Sequence, residues 1–255
     1  MQRYFISTTI AAGAQAELTG EAAHHIQRVM RGQVGDEVEV VTNQQAYRSK
    51  IVALQPDQVS VRLAATPLPS PEMPNQVIIA CSIAKKDKAD WIVQKGTELG
   101  ASGFIFFSSQ YGVAKWEPKR QDKKLARLRK IALEAARQSH RNQLPTVTIL
   151  PDLATLLQVP KDYGVVAYEE SAKQGEAAAL VTTAQQLVGG QTLIAVFGPE
   201  GGLAPKEVEQ LKAAGFMAAG LGPRILRAET APLYLLSALS TLWELRGANF
   251  KNAEA

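Results

Sequence analysis

The chain has 255 residues, of which 46% are hydrophobic and 20% charged, a balance typical of globular proteins with a buried core. No apolar run is long enough to span a bilayer and the first residues lack the features of a signal peptide, so we expect a cytoplasmic protein. A single cysteine, Cys81, and three histidines exclude an internal disulfide and a zinc cluster, and we predict no bound metal.

The net charge of +4 is concentrated in one stretch of the chain. Residues 115–141 carry ten basic and three acidic side chains, which leaves the remainder slightly acidic. A basic patch of this kind is typical of a surface that binds phosphate groups. The alternative is an ordinary solvated helix face.

Residues 1–68 have the pattern of a small β-rich module. Alternating apolar residues over 34–41, 47–54 and 58–63, separated by turn-forming residues, predict short strands of a barrel. A short helix is predicted within residues 19–31, with Thr19 as its N-cap. Helical spacing puts three apolar residues on its buried face and two arginines on its outer face: Ala22, Ile26 and Val29, then Arg28 and Arg31.

Four prolines within residues 66–74 predict an extended linker, so we place the domain boundary there, between a first domain over 1–68 and a second over 75–249. In the second domain strands alternate with helices, which predicts a mostly parallel α/β sheet covered on both faces. Strands are predicted over 77–84, 104–107, 147–150, 164–168, 192–197 and 216–221, and helices over 87–100, 119–138, 176–187, 205–214 and 233–245. Asp87 is a suitable cap for the first of these helices.

Two unusual loops directly follow strands of this sheet. One has the sequence Gly198-Pro199-Glu200-Gly201-Gly202, and the other runs from Leu221 to Leu233 with two prolines and two arginines. Because the carboxyl ends of parallel strands meet at one edge, where ligands bind, the two loops predict a single site. The usual glycine-rich nucleotide fingerprints are absent from the chain.

The second loop brings a cation, a carboxylate and a hydroxyl within four residues, at Arg227, Glu229 and Thr230. These groups suit the stabilisation of developing charge on a substrate. An Arg227–Glu229 ion pair that holds the loop closed is the alternative interpretation.

These motifs, taken together, resemble the RsmE-type ribosomal RNA uridine-N3 methyltransferases of the SPOUT class. The resemblance extends almost from end to end and rests on five segments: residues 24–31, 95–100, 134–139, 198–202 and 221–231. It implies a PUA-like β-barrel followed by a SPOUT α/β domain with a deep trefoil knot. It further implies a homodimer that uses S-adenosylmethionine to methylate N3 of one uridine in 16S ribosomal RNA, free or in the assembled small subunit. Two alternatives stay open, namely a SPOUT enzyme for another ribosomal or transfer RNA nucleotide and a non-catalytic ribosome-assembly factor.

The resemblance also implies roles for individual residues. Cofactor-binding residues are Phe197, Gly198, Pro199, Glu200, Gly201, Gly202, Leu221, Gly222, Ile225, Leu226, Arg227 and Ala231. Residues facing the base are Arg227, Glu229 and Thr230, with Arg141 contributing from the adjacent helix. RNA-binding residues are Arg28, Arg31, Lys123, Lys124, Arg127, Lys130, Gln138, Ser139 and Arg141. The chain departs from the family pattern at Lys86, at 110–112 (Gln-Tyr-Gly for Glu-Arg-Ser) and at 137–140, all within the expected RNA-facing region.

Overall fold

The computed structural model describes residues 1–83, 87–114, 116–170 and 178–245. Two compact units are present: residues Met1–Glu72 with Ala136–Gln143, and residues Met73–Ala135 with Leu144–Ala255. The cut after Glu72 falls within the proline-rich stretch, and residues 136–143 group with the first unit. Of the helices in the described ranges, none is long and apolar enough to cross a membrane. Expectations for Ala84, Lys86, Glu176 and 246–249 fall outside the described residues.

The first unit is built on a five-stranded sheet in the order β1-β3-β4-β5-β2. Its strands are β1 (Arg3–Phe5), β2 (Gln15–Thr19), β3 (Glu37–Thr42), β4 (Gln45–Gln55) and β5 (Gln58–Leu63). Neighbouring strands are antiparallel except for β1 and β3, which are parallel. The three predicted strands are confirmed as β3, β4 and β5. Strand β1 was not predicted because it has only three residues, and β2 was missed although its residues alternate between exposed and buried.

The predicted helix of this unit starts later than expected. Helix α1 covers Glu21–His24 and continues as a π-helical turn over His25–Val29. The prediction that Thr19 is the N-cap is wrong, because Thr19 ends β2 and Gly20, with φ +59°, turns the chain into the helix. A positive φ is accessible to glycine at little cost, so the backbone makes this turn without a side-chain cap.

The π-helical turn changes which side chains of this segment are buried. Ile26 is buried as predicted, but Val29 is 61% exposed and Ala23, not Ala22, lies in the core. A π turn has more residues than an α turn, which rotates Val29 away from the sheet. Arg28 and Arg31 are exposed, as predicted.

The second unit contains a six-stranded sheet in the order β11-β9-β10-β6-β7-β8, in which every pairing is parallel. Its strands are β6 (Gln76–Ser82), β7 (Gly103–Phe107), β8 (Thr146–Leu150), β9 (Tyr163–Ala167), β10 (Thr192–Phe197) and β11 (Phe216–Ala219). The prediction of a parallel α/β sheet is therefore confirmed. The trefoil knot stays a prediction.

The helices of the second unit lie close to their predicted ranges. They are α2 (Lys88–Glu98), α3 (Pro118–Gln138), α4 (Leu153–Leu156), α5 (Ala179–Gln186), α6 (Pro205–Ala213) and α7 (Ala231–Ser240), the last followed by a π-helical turn over Thr241–Leu245. Asp87 occupies the N-cap position of α2, but its side chain makes no capping hydrogen bond. The single-turn helix α4, capped by Asp152, was not predicted.

Apolar residues cover both faces of this sheet. Helices α2, α3, α5 and α7 pack on one face, and α4 and α6 pack on the other. Successive residues of β6 alternate between the two cores, with Ile79 and Cys81 in the first and Ala80 in the second. Burial raises the pKa of the Cys81 thiol, which confirms a core residue and not a nucleophile.

Candidate active site

The carboxyl ends of the parallel strands bring loops from distant parts of the chain to one edge of the second unit. Strand β10 leads into the glycine loop, Gly198–Gly202, and β11 leads into the arginine loop, Leu221–Thr230. Strand β6 leads towards helix α2, and β7 leads into the tyrosine loop, Ser108–Gly112. Strand β6 lies between β10 and β7, so these four loops converge where the strand order changes direction.

The glycine loop is a tight turn that only small residues can make. The Gly202 N–H donates to the Pro199 carbonyl at 2.9 Å, and Gly202 has φ +73°. A Cβ added to Gly198 would lie 2.9 Å from the backbone carbon of Gly202 and from the Leu203 nitrogen. Because those neighbours are backbone atoms, the loop would have to move to accept any side chain at Gly198.

A buried carboxylate links the tyrosine loop to the start of α6, just after the glycine loop. Glu207, on α6, is 7% exposed and accepts hydrogen bonds from the backbone N–H groups of Ala204 and Gln110, both at 2.8 Å. A hydrogen bond of 2.6 Å between the hydroxyls of Ser82 and Ser109 joins the tyrosine loop to the end of β6. The tyrosine loop is therefore fixed both to the end of β6 and to the start of α6.

The arginine loop contains a stretch of backbone with few hydrogen bonds to the described parts of the chain. Among the described residues, no backbone N–H from Leu221 to Leu226 donates to another backbone group. Gly222 has φ +82°, and Leu221 and Leu226 are half-buried while Ile225 is 77% exposed. Polar backbone groups without protein partners are available for a ligand.

The arginine loop closes by a turn that leads into α7. The carbonyl of Arg227 accepts from the N–H groups of Thr230 and Ala231 at 2.9 and 3.0 Å. Thr230 is the N-cap of α7 by position, but its exposed hydroxyl makes no capping hydrogen bond. The Thr230 hydroxyl and the Arg227 guanidinium both face solvent.

Lys88, at the start of α2, joins the two predicted loops. Its Nζ atom lies 2.7 Å from Glu200 Oε1 of the glycine loop and 3.0 Å from Glu229 Oε2 of the arginine loop. The three side chains form a carboxylate–ammonium–carboxylate bridge, which we call the Lys88 bridge. It is the direct contact that makes two sequence-distant loops one site.

The Lys88 bridge favours the charged form of each partner. The hydrogen bond to Glu200 raises the pKa of Lys88, and the interactions with Glu229 add to this rise against an opposing effect of burial. Burial by itself would raise the pKa of Glu229, but its own backbone N–H, Lys88 and the charge of Arg227 hold that pKa below its usual value. Glu229 is therefore a carboxylate at neutral pH.

The alternative that Arg227 and Glu229 form an ion pair is contradicted by this arrangement. Glu229 is paired with Lys88, and the exposed guanidinium of Arg227 has no hydrogen-bonding or ion-pair partner within the described parts of the chain. Arg227 is thus a cation available to a ligand. A solvent-exposed guanidinium stays charged without a desolvation penalty. It forms strong, directional hydrogen bonds with an anion that approaches it.

Helix α3 carries the basic residues predicted to bind RNA. Lys123, Lys124, Arg127 and Lys130 are all exposed. Lys124 lies over the ring of Trp116, 4.7 Å from its centroid, and Arg127 pairs with Asp90. The opposite side of α3 packs into the core through Leu128, Ala132 and Ala135.

One predicted RNA contact is contradicted by the structure. Arg141, in the first unit, is 3% exposed, and its Nε atom donates to Glu72 at 2.7 Å. A guanidinium that is buried and paired in this way holds the fold together and is not available to a phosphate. Two nearby residues that were also predicted to bind RNA are more accessible than Arg141: Gln138 is exposed and Ser139 is half-buried.

Tyr111 was noted only as part of the departure from the family pattern at 110–112, and sequence reasoning missed Lys88 and Glu207. These two residues contact partners far away in the chain, so no local spacing identifies them. The one usable signal is position, because Lys88 and Tyr111 lie in the segments that follow strands β6 and β7. Residues that follow parallel strands belong at the ligand edge whatever their type.

Comparisons with known proteins agree with this architecture. A model of an RNA methyltransferase domain matches residues 71–240, and a model of an RNA methyltransferase PUA domain matches residues 18–64. The chain is 45% identical over 252 residues to ribosomal RNA small subunit methyltransferase E of Bacillus subtilis (strain 168), covering 96% of this chain and 98% of that protein.

Two solved structures are similar along both units. Ribosomal RNA small subunit methyltransferase E from Neisseria gonorrhoeae, bound to S-adenosyl methionine, is 27% identical with a TM-score of 0.79, over 95% of this chain and 98% of that one. A crystal structure of a hypothetical protein is 41% identical with a TM-score of 0.88, over 96% and 100% of the two chains. The similarity therefore includes the edge on which the four loops meet.

Proposed function

Because the chain belongs to the ribosomal RNA small subunit methyltransferase E family, we propose that it transfers a methyl group from S-adenosylmethionine to N3 of one uridine in 16S ribosomal RNA. This proposal rests chiefly on the sheet edge at which the Lys88 bridge joins the glycine loop and the arginine loop. Residue roles within the proposal rest on the contacts of those loops.

The residues of the two loops fit the cofactor. Backbone N–H groups between Leu221 and Leu226 donate to no backbone group of the described residues, and half-buried Leu221 and Leu226 supply apolar surface for an adenine ring. The missing Cβ at Gly198 lets the glycine loop stay compact beside them. We assign cofactor binding to Phe197–Gly202, to Leu221, Gly222, Ile225 and Leu226, and to Arg227 and Ala231 where the arginine loop turns into α7.

The cofactor supplies an electrophilic methyl group attached to a sulfonium centre. At the uracil, N3–H is a poor nucleophile until its proton leaves and negative charge spreads onto O2 and O4. With the cofactor bound, the bond from N3 to the methyl carbon would form as the carbon–sulfur bond breaks, leaving S-adenosylhomocysteine, and the N3 proton would pass to a base. The protein therefore has to align the reacting atoms and stabilise the uracil anion.

Arg227 is the group that we assign to the uracil anion. Its guanidinium is exposed and unpaired within the described residues, and it belongs to the loop assigned to the cofactor. Glu229 acts as a positioning residue, because its pairing with Lys88 fixes the backbone two residues after Arg227. The free hydroxyl of Thr230 bounds the same pocket.

The RNA substrate is proposed to lie along exposed basic side chains, on α3 in the second unit and at Arg28 and Arg31 in the first. We assign Lys123, Lys124, Arg127 and Lys130 to phosphate contacts, with Gln138 and Ser139 as polar contacts. A homodimer, a trefoil knot around the cofactor loops and a cytoplasmic location complete the proposal. The target is either free 16S ribosomal RNA or the assembled small subunit.

Two measurements test the proposed function. Calorimetry should detect binding of S-adenosylmethionine by the purified chain, and no binding at millimolar cofactor would overturn an enzymatic role. Mass mapping of modified nucleotides in ribosomal RNA from cells that lack this protein should then reveal one unmethylated uridine N3 in 16S RNA. Loss of a different modification would assign the enzyme to another nucleotide, and loss of none would favour an assembly factor.

A further inference from the structure

The tyrosine loop carries an exposed aromatic ring next to the glycine loop. Tyr111 is 48% exposed, and a Cβ added to Gly201 would lie 3.7 Å from the Cβ of Tyr111. Large aromatic side chains on a protein surface bury their area when a ligand covers them. A ligand bound at the glycine loop would therefore lie close to Tyr111.

The backbone that carries Tyr111 is fixed. Gln110, the preceding residue, donates its N–H to buried Glu207, and the Gly112 N–H donates to the Ser109 carbonyl at 3.1 Å. A Cβ at Gly112 would lie 3.0 Å from the Ser109 hydroxyl and 3.2 Å from the Ser82 hydroxyl, so the chain turns tightly directly after the tyrosine. Because this backbone is already held in place, little backbone entropy is lost when a ligand covers the ring.

The surroundings of Tyr111 indicate which ligand it meets. The cofactor loops follow β10 and β11, whereas Tyr111 follows β7, on the other side of β6. Beyond Tyr111 the chain leads to basic helix α3, which is held against β7 because Lys124 lies over Trp116 and Trp116 packs on Phe106 with ring centroids 5.1 Å apart. Tyr111 thus lies beside the glycine loop, on the segment of chain that leads to the basic helix α3.

We propose that Tyr111 is a stacking platform for a nucleobase of the RNA substrate. This inference rests on the proposed function and adds a residue to its substrate site. The loop that carries Tyr111 leads towards α3, so an RNA strand whose phosphates contact α3 passes close to Tyr111, and an unpaired base of that strand can stack on the phenol ring. Stacking on aromatic side chains is a general means by which proteins hold unpaired RNA bases.

The test uses the full-length chain, S-adenosylmethionine and small ribosomal subunits purified from cells that lack the protein. Tyr111→Phe keeps the ring and should keep RNA affinity within about twofold, whereas Tyr111→Leu and Tyr111→Ala should weaken it by about 5- to 100-fold. The affinity for S-adenosylmethionine, measured by calorimetry without RNA, should stay unchanged in all three variants. An unchanged cofactor affinity also shows that each variant is folded.

Val113 provides a matched control, since it is 74% exposed and lies two residues after Tyr111. Val113→Ala should bind RNA like the wild type. Wild-type RNA affinity in Tyr111→Leu would overturn the stacking role, and so would an equal loss of cofactor affinity in Tyr111→Ala, which would assign the ring to the cofactor. If the wild-type chain neither binds cofactor nor methylates RNA, the proposed function fails; if it does both and Tyr111→Ala does too, only the stacking inference fails.

Discussion

At the scale of single residues, the site depends on Lys88, whose ammonium contacts carboxylates on two loops that are almost thirty residues apart in sequence. Salt bridges at exposed positions stabilise proteins weakly, and Glu200 is 44% exposed. The contribution of Lys88 is therefore positional: it sets the separation of the glycine and arginine loops.

Replacement of Lys88 tests the bridge. Lys88→Met removes the ammonium but keeps the aliphatic stem, so both carboxylates lose their common partner. We expect cofactor affinity to fall by about 2- to 10-fold, in line with the modest energies of two partly exposed ion pairs. Lys88→Arg should restore most of the affinity, as measured by calorimetry, and equal losses in both variants would contradict the bridging role.

The pH dependence of the bridge follows from the two pKa shifts. The pKa of Glu229 is lowered, so its contribution is present above its ordinary value of 4.5 and is lost as pH falls through the lower folded value. The pKa of Lys88 is raised, so its contribution is present below 10.5 and is lost as pH rises through the higher folded value. The affinity ratio of wild type to Lys88→Met should hence stay constant between about pH 6 and pH 9.

Arg227 is the residue whose loss should separate cofactor binding from chemistry. Arg227→Ala removes the cation assigned to the uracil anion, and we expect the methylation rate constant to fall by about 100- to 1,000-fold, as for the loss of one charge-stabilising donor. Cofactor affinity should change much less, because backbone groups dominate the assigned contacts. Single-turnover methylation with saturating cofactor measures the first quantity, and calorimetry measures the second.

Arg224 is the matched control for this experiment, because it is exposed and lies in the same loop. Arg224→Ala removes the same charge from the loop three residues earlier and should leave the rate constant close to that of the wild type. Equal rates in Arg224→Ala and Arg227→Ala would mean that overall charge, and not the position of Arg227, matters.

At the scale of elements, α3 shows how one helix serves both the core and the surface. Its apolar side packs into the sheet through Leu128 and Ala132, and this leaves Lys123 and Lys130 exposed. Lys124 and Arg127 differ from those two lysines, since they already contact Trp116 and Asp90. The basic side chains of α3 are thus not equivalent as candidates for phosphate binding.

Neutralising Lys123 and Lys130 should therefore weaken RNA binding and its dependence on salt. For each lysine that contacts a phosphate, the slope of log affinity against log salt should decrease by about 0.7 to 0.9. Lys212→Gln is a suitable control, because Lys212 lies in the last turn of α6, where the helix has run back from the ligand edge. Filter binding over a salt series measures the slope, and an unchanged slope would make α3 an ordinary solvated surface.

At the scale of the whole molecule, the first unit is completed by a segment from much later in the chain. The Glu72 carboxylate accepts hydrogen bonds from the Arg141 side chain and from the N–H groups of Asn142 and Gln143. Nearby, Glu39 accepts from Arg3 at 2.8 Å and lies 2.9 Å from His140 Nδ1. Residues 136–143 are thus fixed to the first unit by charged and polar contacts.

Removal of the Arg141 side chain should destabilise this unit. Arg141→Met leaves the Glu72 carboxylate, itself 12% exposed, without its ionic partner, and breaking a buried pair in this way costs about 3–5 kcal/mol. Chemical denaturation should show the loss of stability. At temperatures where the variant is folded, its affinity for S-adenosylmethionine should equal that of the wild type, because the assigned cofactor residues belong to the second unit. A loss of RNA affinity without a loss of stability would restore Arg141 as an RNA contact.

Local patterns in the sequence were sufficient to predict most elements. The strands over 192–197 and 58–63 agree residue for residue, because alternating or continuous apolar residues between turn-forming residues leave little choice of boundary. The errors are short elements and unusual turns. Strand β1 has three residues, and the π-helical turn that exposes Val29 is set by packing on the sheet and not by the preference of any single residue.

The sequence by itself determined the parallel α/β sheet, the two loops at its edge, the basic helix and the family resemblance, since each is encoded in residues close together in the chain. Only the tertiary structure decided which charges meet. Ion pairs form between groups brought within a few ångströms by strand order, so Glu229 pairs with Lys88 and not with Arg227, and Arg141 is buried against Glu72. No spacing along the chain encodes those distances, and they separate the residues available to a ligand from those that hold the protein together.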